Sequence, residues 1–376
     1  MVTGLVVDEY RRLVVKVGSS LLIGDDGDVD RQWLAGLTDD IADLHRRRHE
    51  ILIVSSGAIA IGSSVLAINK RSAKLEDLQA AAAAGQVQLA HAYREALARH
   101  DVLTAQVLLT PEDTENRRRF LNARGTLGRL IERLVVPVIN ENDTVATEEI
   151  CYGDNDRLAA RVAQLVMADA LILLSDVDGL YTADPASDEN AEHIPEVTSI
   201  SEEIQQMAGE TRSDIGSGGM ATKVQAARIA THAGCTTVIA SGVVDRPLSV
   251  LAGGGRHTLF RAPGTPAAAR KQWLAGALEV NGELRLDDGA AQALRNGGSL
   301  LPVGVVEAVG NFRRGDVVTL VDAAGRELGR GLAEYSSDEA RQLTGCQSEA
   351  IEDVLGYRGR SVMVHRDDLV IFENEC

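Results

Sequence analysis

The amino-acid sequence predicts an α/β fold in which helices cover both faces of a mostly parallel sheet, followed by a small β-rich domain. Over the first 250 residues, short apolar runs alternate with segments whose apolar residues recur at helical spacing. The apolar runs are continuous, as expected of strands that are buried on both faces. Near residue 253 the sequence changes to short segments separated by glycines. These observations define the fold class and its two parts.

The alternation predicts six strands in the first part, each of them an apolar run. They cover residues 13–17, 51–54, 102–109, 135–139, 170–174 and 237–240. Helical spacing of apolar residues predicts helices between them, at 33–44, 75–99, 116–133, 157–167 and 220–233. A sheet of this kind binds ligands beyond the carboxyl ends of its strands. Polar or glycine-rich stretches follow the predicted strands there, at 18–20, 55–57, 140–143, 175–176 and 241–242.

Turn-rich sequence marks a boundary between the two parts. Three glycines at 253–255 and the stretch 262–266, with two prolines and a glycine, are typical of turns. Beyond residue 275, apolar segments at 300–309, 317–321 and 361–364 and a helix at 338–344 predict a small β-rich domain. We therefore expect one domain over residues 1–260, a linker over 261–280 and a second domain over 281–376.

Composition disfavours several classes of protein. The 376 residues are enough for two domains with buried cores, and a net charge of −17 repels nucleic-acid phosphates. No apolar run approaches the roughly 18 residues that span a bilayer, and the first ten residues lack the basic segment of a secretory signal. The four cysteines form no CxxC pair, so neither a zinc site nor a disulfide framework is predicted. The expected compartment is the cytoplasm, without contact with a membrane.

One lysine-containing stretch has the composition of a phosphate-binding loop. Gly216-Ser217-Gly218-Gly219-Met220-Ala221-Thr222-Lys223 leads into a predicted helix. Glycines let the backbone approach a ligand closely, and the N-terminus of a helix attracts phosphate. An ordinary glycine-rich turn is the alternative. A Walker A loop is excluded, because the chain contains no Gly-Lys dipeptide.

Lys16 is the second candidate, since lysine is rare here: only five of the 38 basic residues are lysines. It lies inside the first predicted strand, just before Gly18. A lysine among strand valines is costly to bury without a partner. It therefore either contacts a ligand at the strand end or reaches solvent from an edge strand. The neighbouring glycine turn favours the ligand contact.

Two polar stretches, at 140–143 and 153–156, lie close to the predicted site. The second precedes a predicted helix, so its side chains either cap that helix or orient a small polar substrate and the lysines. The stretch 55–58 joins a strand to a helix, as either a simple turn or an anion site.

The predicted site combines lysines, helix N-termini and acidic side chains at one edge of the sheet. This combination suits phosphoryl transfer, which needs alignment and cations rather than covalent catalysis.

Several spaced motifs, in order along the chain, resemble the amino acid kinase superfamily. Residues 14–20, 54–60 and 218–223 carry the resemblance to the superfamily as a whole. Longer stretches resemble its bacterial glutamate 5-kinases, at 119–124, 137–146, 153–156 and 175–185. Residues 281–371, with the stretches 310–312 and 364–368, resemble the PUA domain that follows such kinases in many bacteria. The resemblance implies an αβα sandwich with a C-terminal PUA domain.

The resemblance also implies a reaction: ATP phosphorylates the γ-carboxylate of L-glutamate to give L-glutamyl 5-phosphate, the first step of proline biosynthesis. It implies Mg²⁺ with ATP, feedback inhibition by proline, a homo-oligomer (dimer or tetramer) and a functional link to glutamyl phosphate reductase. Lys16, Lys223 and Asp156 would be catalytic: the two lysines would flank the transferred group, and Asp156 would hold them in position. No residue is assigned as a direct metal ligand.

The same resemblance implies the binding residues. Glutamate would be bound by Ser56, Gly57, Asp143 and Asn155. ATP would be bound by Lys16, Ser175, Asp176, Ser217, Gly218, Gly219, Met220, Ala221, Thr222 and Lys223. Serine replaces the threonine that is common in the family at positions 55, 175 and 217, which keeps the hydroxyl group.

Two alternative functions remain open. Another member of the superfamily would phosphorylate a different carboxylate or carbamate. A non-catalytic ligand sensor associated with RNA would bind RNA without turnover. Residues 275–376 carry 10 basic and 18 acidic side chains, a net charge of −8. Because RNA affinity depends on cationic contacts, we expect no strong RNA binding and favour a structural or regulatory role for this region.

Overall fold

The computed structural model describes residues 7–69, 72–145, 155–209, 219–277 and 279–372. The chain divides into two units, Met1–Pro266 and Ala267–Cys376. Each unit has its own sheet and its own hydrophobic core. The segment that the sequence assigns to a linker, residues 261–280, contains the ten-residue helix Pro266–Ala275.

The apolar runs of the first unit form the strands of its central sheet. The strands described in this unit are β1 (Arg12–Val17), β2 (Glu50–Ser55), β3 (Thr104–Leu109), β4 (Val136–Glu141), β5 (Ala170–Ser175), β6 (Leu180–Tyr181), β7 (His193–Ile194), β8 (Glu196–Val197), β9 (Thr236–Ser241) and β10 (His257–Phe260). Eight of them form one sheet in the order β3-β4-β2-β1-β5-β9-β10-β8. The first six in this order are parallel, and β10 runs antiparallel to β9. The predicted mostly parallel sheet is confirmed.

Helices lie on both faces of this sheet. They are α1 (Ser19–Leu22), α2 (Arg31–Arg46), α3 (Ala58–Val65), α4 (Leu75–Ala98), α5 (Pro111–Glu115), α6 (Arg117–Glu132), α7 (Asn155–Val166), α8 (Glu202–Met207), α9 (Met220–His232) and α10 (Pro247–Ala252). The start of α2 shows how the sequence sets such boundaries, because the Asp30 carboxylate accepts hydrogen bonds from the Gln32 and Trp33 N–H groups. Within the described ranges, no helix is both long and apolar enough to cross a membrane.

Side-chain alternation along the strands assigns each residue to one face of the sheet. In β1, Leu13, Val15 and Val17 belong to a core that includes α2 and α4, here called the α2–α4 face. Val14 belongs to the opposite core, which includes α7 and α9, here called the α7–α9 face. Lys16, two residues after Val14, therefore points to the α7–α9 face.

Two glycines let α3 and α4 approach to backbone contact. A Cβ atom on Gly62 would lie 1.7 Å from the Ala81 carbonyl oxygen, and one on Gly85 would lie 1.9 Å from the Ala58 carbonyl oxygen. Any side chain at these positions would force the helices apart. Because α3 begins directly after Gly57, this contact fixes the loop that follows β2 against α4.

The second unit is β-rich, as the sequence predicts. It contains β11 (Gly282–Leu286), β12 (Val305–Gly310), β13 (Val317–Val321), β14 (Glu327–Leu332) and β15 (Leu369–Ile371), in the sheet order β12-β11-β13-β14-β15. Its helices are α11 (Pro266–Ala275), α12 (Asp288–Arg295), α13 (Ser337–Leu343) and α14 (Ile351–Leu355).

The strand predicted at 361–364 is wrong, since only Val364 pairs, in an isolated bridge with Leu300. The pattern predicts neither β11 nor β14, because glycines and charged residues interrupt their apolar sequence.

Replacing Gly85 with alanine tests the contact between α3 and α4. We expect Gly85→Ala to lower the free energy of unfolding by about 1–3 kcal/mol, because the added methyl group overlaps the backbone of α3. Gly128→Ala is the matched control: Gly128 lies inside α6, and a Cβ there would meet nothing within 4 Å. Alanine favours a helix over glycine by about 1 kcal/mol, so this control is expected to be stabilised. Equal unfolding free energies in urea would contradict the close contact.

Candidate active site

Three charged side chains from three separate elements meet at the carboxyl edge of the sheet. Lys16 comes from β1, Asp156 from the first turn of α7 and Lys223 from the first turn of α9. The Lys16 Nζ atom lies 2.5 Å from Asp156 Oδ1, and the Lys223 Nζ atom lies 3.3 Å from Asp156 Oδ2. Each of the three residues is at most 5% exposed. Two ammonium groups thus share one buried carboxylate, and this lysine–aspartate cluster carries one net positive charge.

The local structure explains why these three residues meet. β1 lies between β2 and β5, so Lys16 is not on an edge strand, and alternation directs it toward α7 and α9. Lys223 lies one turn into α9, which starts directly after Gly219. The neighbouring Thr222 hydroxyl also lies 3.3 Å from Asp156 Oδ2, although its shorter hydrogen bond, of 2.8 Å, goes to the Gly219 carbonyl oxygen. Asp156 therefore does more than cap α7, and the edge-strand alternative for Lys16 is excluded.

A second, uncharged cluster lies at the ends of β2 and β4. The Asn155 Nδ2 atom lies within hydrogen-bond distance of three oxygens: the Ser55 carbonyl at 2.9 Å, Ser56 Oγ at 3.0 Å and Asn140 Oδ1 at 2.8 Å. Asn140 Nδ2 donates in turn to Gln86 Oε1 on α4, at 2.8 Å. We call Gln86, Asn140, Asn155 and Ser56 the amide chain. It connects α4 with two of the residues that the resemblance assigns to glutamate.

Helix α4 supports this cluster at a second point. The fully buried Tyr93 hydroxyl lies 3.0 Å from Ser55 Oγ, and burial raises the pKa of Tyr93. Gln86, Leu89 and Tyr93 are spaced by three and four residues and lie on one buried stripe of α4. Sequence reasoning assigns neither Gln86 nor Tyr93 to the site, and it includes Asn140 only as part of the polar stretch 140–143, without a role. The signal that could have found Gln86 is a polar residue on an otherwise apolar helical stripe.

Gly57 and Asp143 flank the amide chain in sequence. Gly57 has a φ of +109°, a left-handed conformation that favours glycine, and it directly precedes α3. Asp143 lies in the turn after β4, three residues beyond Asn140. Burial raises the pKa of Asp143 to about 6, because removal from water disfavours the charged form of the carboxyl group. This carboxyl group therefore changes charge close to neutral pH.

Apart from Lys16 in β1, the described residues that the resemblance assigns to ATP lie at the end of β5 or at the start of α9. The Ser175 hydroxyl donates to an Asp176 carboxylate oxygen at 2.8 Å. The Ser175 carbonyl oxygen accepts a 2.7 Å hydrogen bond from the Gly242 N–H, which ties the end of β5 to the end of β9. Residues 219–223 lead into and form the first turn of α9, whose N–H groups suit an anion. Positions 217 and 218 lie outside the described residues.

Comparisons with known proteins assign the chain to a family. Residues 11–241 match the amino acid kinase family, and residues 282–355 match the PUA domain. The chain therefore belongs to the amino acid kinase family. It is 53% identical over 365 residues to a glutamate 5-kinase of Rhizobium rhizogenes, covering 97% of this chain and 94% of the relative. It is 55% identical over 362 residues to one of Paramagnetospirillum magneticum, covering 96% and 98%. Within the family the chain groups with the glutamate 5-kinases, which confirms the resemblance.

Replacing Asp156 with asparagine tests whether one carboxylate balances both lysines. We expect Asp156→Asn to lower the free energy of unfolding by about 3–5 kcal/mol, because it removes the buried carboxylate that both ammonium groups share. Denaturation in urea measures this loss. Adding Lys16→Met to this variant removes one of the two ammonium groups that lost this carboxylate and is expected to recover part of the stability. A double variant whose loss equals the sum of the two single losses would contradict the shared ion pair.

Proposed function

We propose that this protein transfers the γ-phosphoryl group of ATP to the γ-carboxylate of L-glutamate, giving L-glutamyl 5-phosphate and ADP. The observation that carries the proposal is the lysine–aspartate cluster, in which two buried ammonium groups face one carboxylate. Membership of the amino acid kinase family supports phosphoryl transfer. Identity above 50% to glutamate 5-kinases over nearly the whole chain supports glutamate as the acceptor.

The charge of the cluster suits a reaction between two anions. The γ-phosphate and the attacking carboxylate repel each other, and the transition state spreads negative charge over the oxygens of the moving phosphoryl group. Lys16 and Lys223 would flank this group and neutralise its charge. Asp156 would act as a positioning residue, because it holds both amines in place before the substrates bind. Cations fixed in advance need no reorganisation during the reaction.

The polarity of the amide chain suits an amino-acid substrate. Asn155 directs its Nδ2 atom at protein oxygens, so its Oδ1 atom is the acceptor available for an ammonium group. Ser56 Oγ accepts from Asn155 and can therefore donate its own hydrogen to a substrate carboxylate. Asp143, when ionised, would add a negative charge for the ammonium group. The backbone N–H groups after Gly57, at the start of α3, favour a carboxylate.

Mg²⁺ would enter the site together with ATP. Magnesium usually keeps several waters and binds through substrate phosphates and one or two carboxylates. Among the described residues there is no group of three His, Cys, Asp or Glu side chains that could hold a metal ion by itself. An ion carried mainly by the nucleotide would supply further neutralisation of the phosphates. Ser175, Asp176 and residues 217–223 would bind the nucleotide.

Three further properties belong to this proposal. Proline carries the ammonium and α-carboxylate groups of an amino acid, so it would inhibit by occupying the residues that bind that end of glutamate. The product is an acyl phosphate, which is reactive, and glutamyl phosphate reductase would be the enzyme that consumes it. The protein would act as a homo-oligomer, a dimer or a tetramer.

Release of ADP that depends on glutamate tests the proposed reaction. We expect turnover with ATP and L-glutamate and little with aspartate, N-acetylglutamate or carbamate, and Lys223→Ala should lower kcat by roughly 10²- to 10³-fold. The fold should be retained, since Lys16 still pairs with Asp156. Lys271→Ala is the matched control, because Lys271 is exposed on α11. Turnover of Lys223→Ala near that of the control would overturn the mechanism, and preference for another acceptor would overturn the assignment of glutamate.

The pKa of Asp143 predicts a pH dependence of substrate affinity. Its carboxyl group is ionised above about pH 6, so we expect kcat/KM for glutamate to be flat there and to fall as the pH drops below that value. Because this pKa is raised, ionisation of Asp143 costs stability above about pH 6, and this cost disappears as the pH falls toward the ordinary value of 3.8. Asp143→Asn should raise KM and abolish the inflection. An unchanged inflection in Asp143→Asn would assign it to another group.

A further inference from the structure

The amide chain extends beyond the residues assigned to glutamate, and its inner end is Gln86. Gln86 is 7% exposed and Asn140 is 3% exposed, so their amide groups are shielded from water. Gln86 Oε1 accepts the 2.8 Å hydrogen bond from Asn140 Nδ2. The Gln86 Nε2 atom is buried and has no hydrogen-bond partner among the residues that the structure describes.

We propose that Gln86 is a positioning residue for the glutamate site. It holds the side-chain amide of Asn140, and through Asn140 it holds Asn155 and Ser56 in the orientation that binds the substrate. This inference rests on the proposed function, because it deepens the account of how that site recognises glutamate.

The direction of the hydrogen bonds leads step by step to Gln86. The Ser55 carbonyl oxygen can only accept a hydrogen bond, so Asn155 must turn its Nδ2 atom toward it. Asn140 must then present its Oδ1 atom to Asn155, which leaves the Asn140 Nδ2 atom facing α4. A reversed Asn140 amide would bring two donors together at Asn155 and two acceptors together at Gln86. Gln86 Oε1 supplies the acceptor that the correct orientation requires.

Packing alone does not explain a glutamine at this position. Its neighbours on the buried stripe of α4 are Ala82, Leu89 and Tyr93, and an apolar residue would leave no unpaired donor among them. A buried polar atom without a partner lowers stability. The glutamine is therefore better explained by the hydrogen bond that it accepts than by the volume that it fills.

The surrounding backbone is suited to a positioning role. Gly85 brings α4 into contact with the backbone of α3 directly before Gln86, and the Tyr93 hydroxyl ties the same helix to Ser55 two turns later. Gln86 is thus held on a helix that is fixed at both sides of it. A side chain on such a rigid element can place a neighbouring group accurately.

Kinetics of Gln86→Met tests this role, with Gln88→Met as the matched control. Gln88 lies on the exposed side of the same helix. For Gln86→Met we expect the KM for glutamate to rise roughly five- to tenfold, the effect of losing one buried hydrogen bond. The KM for ATP and kcat should stay close to the wild-type values. The melting temperature should change little, because Gln86→Met leaves Asn140 Nδ2 without its acceptor but also removes the unpaired Gln86 Nε2 donor. Gln88→Met should match the wild type in all four quantities.

A second variant separates positioning from a general structural effect. Gln86→Glu keeps an acceptor oxygen toward Asn140, and burial favours the neutral form of its carboxyl group, so its KM for glutamate should lie between those of Gln86→Met and the wild type. If both variants lose melting temperature and kcat together, or if Gln86→Met behaves like Gln88→Met in an active enzyme, the inference is wrong. A wild type without turnover on glutamate would instead overturn the proposed function, and the inference with it.

Discussion

The site depends on one electrostatic constraint: two buried ammonium groups share the carboxylate of Asp156. Lys16 and Lys223 would repel each other strongly in a medium of low polarity. Asp156 offsets this repulsion, since each of its oxygens faces one amine, at 2.5 Å and 3.3 Å. The three side chains together leave one formal positive charge, which would stabilise the negative oxygens of a phosphoryl group. This arrangement also requires β1, α7 and α9 to meet at one point, so the chemistry of the site and the packing of the first unit are coupled.

Charge and orientation are divided between two clusters. The lysine–aspartate cluster lies on the α7–α9 face and carries the charge. The amide chain is uncharged and reaches α4 on the α2–α4 face. Asn155 and Asp156 are consecutive residues at the start of α7 and belong one to each cluster. The first turn of α7 therefore sets the distance between the residues proposed for phosphoryl transfer and those proposed for glutamate.

The sequence predicts the central sheet well because its strands are buried on both faces and read as continuous apolar runs. The predicted strand at 13–17 differs from Arg12–Val17 by one residue, and the predicted helix at 220–233 differs from Met220–His232 by one. The second unit is predicted less well, since Gly329 and Gly331 interrupt β14 and each of them contacts a neighbouring strand, where a side chain would not fit. In β14, close pairing with the neighbouring strand determines the structure, and an apolar side-chain pattern does not mark the strand.

The sequence predicts those residues of the candidate site that stand out locally, but not the contacts between residues that are distant in sequence. Lys16 and Lys223 stand out locally, because lysine is rare in the chain and each lies next to a glycine-rich turn. The shared contact with Asp156 joins residues that are distant in sequence, so no local pattern predicts it. Gln86 lies in an alanine-rich helix 54 residues before Asn140. The packing of α4 on the α2–α4 face of the sheet, and the alternation that turns Asn140 toward the same face, bring the two amides together.

A crystal structure with ADP, Mg²⁺, an aluminium fluoride anion and L-glutamate would show whether both lysines act on the transferred group, because planar aluminium fluoride mimics the phosphoryl group in the transition state. We expect the Nζ atoms of Lys16 and Lys223 both to lie about 3 Å from fluoride atoms, with Asp156 still between them. A complex in which the fluoride anion binds away from either amine would contradict this expectation.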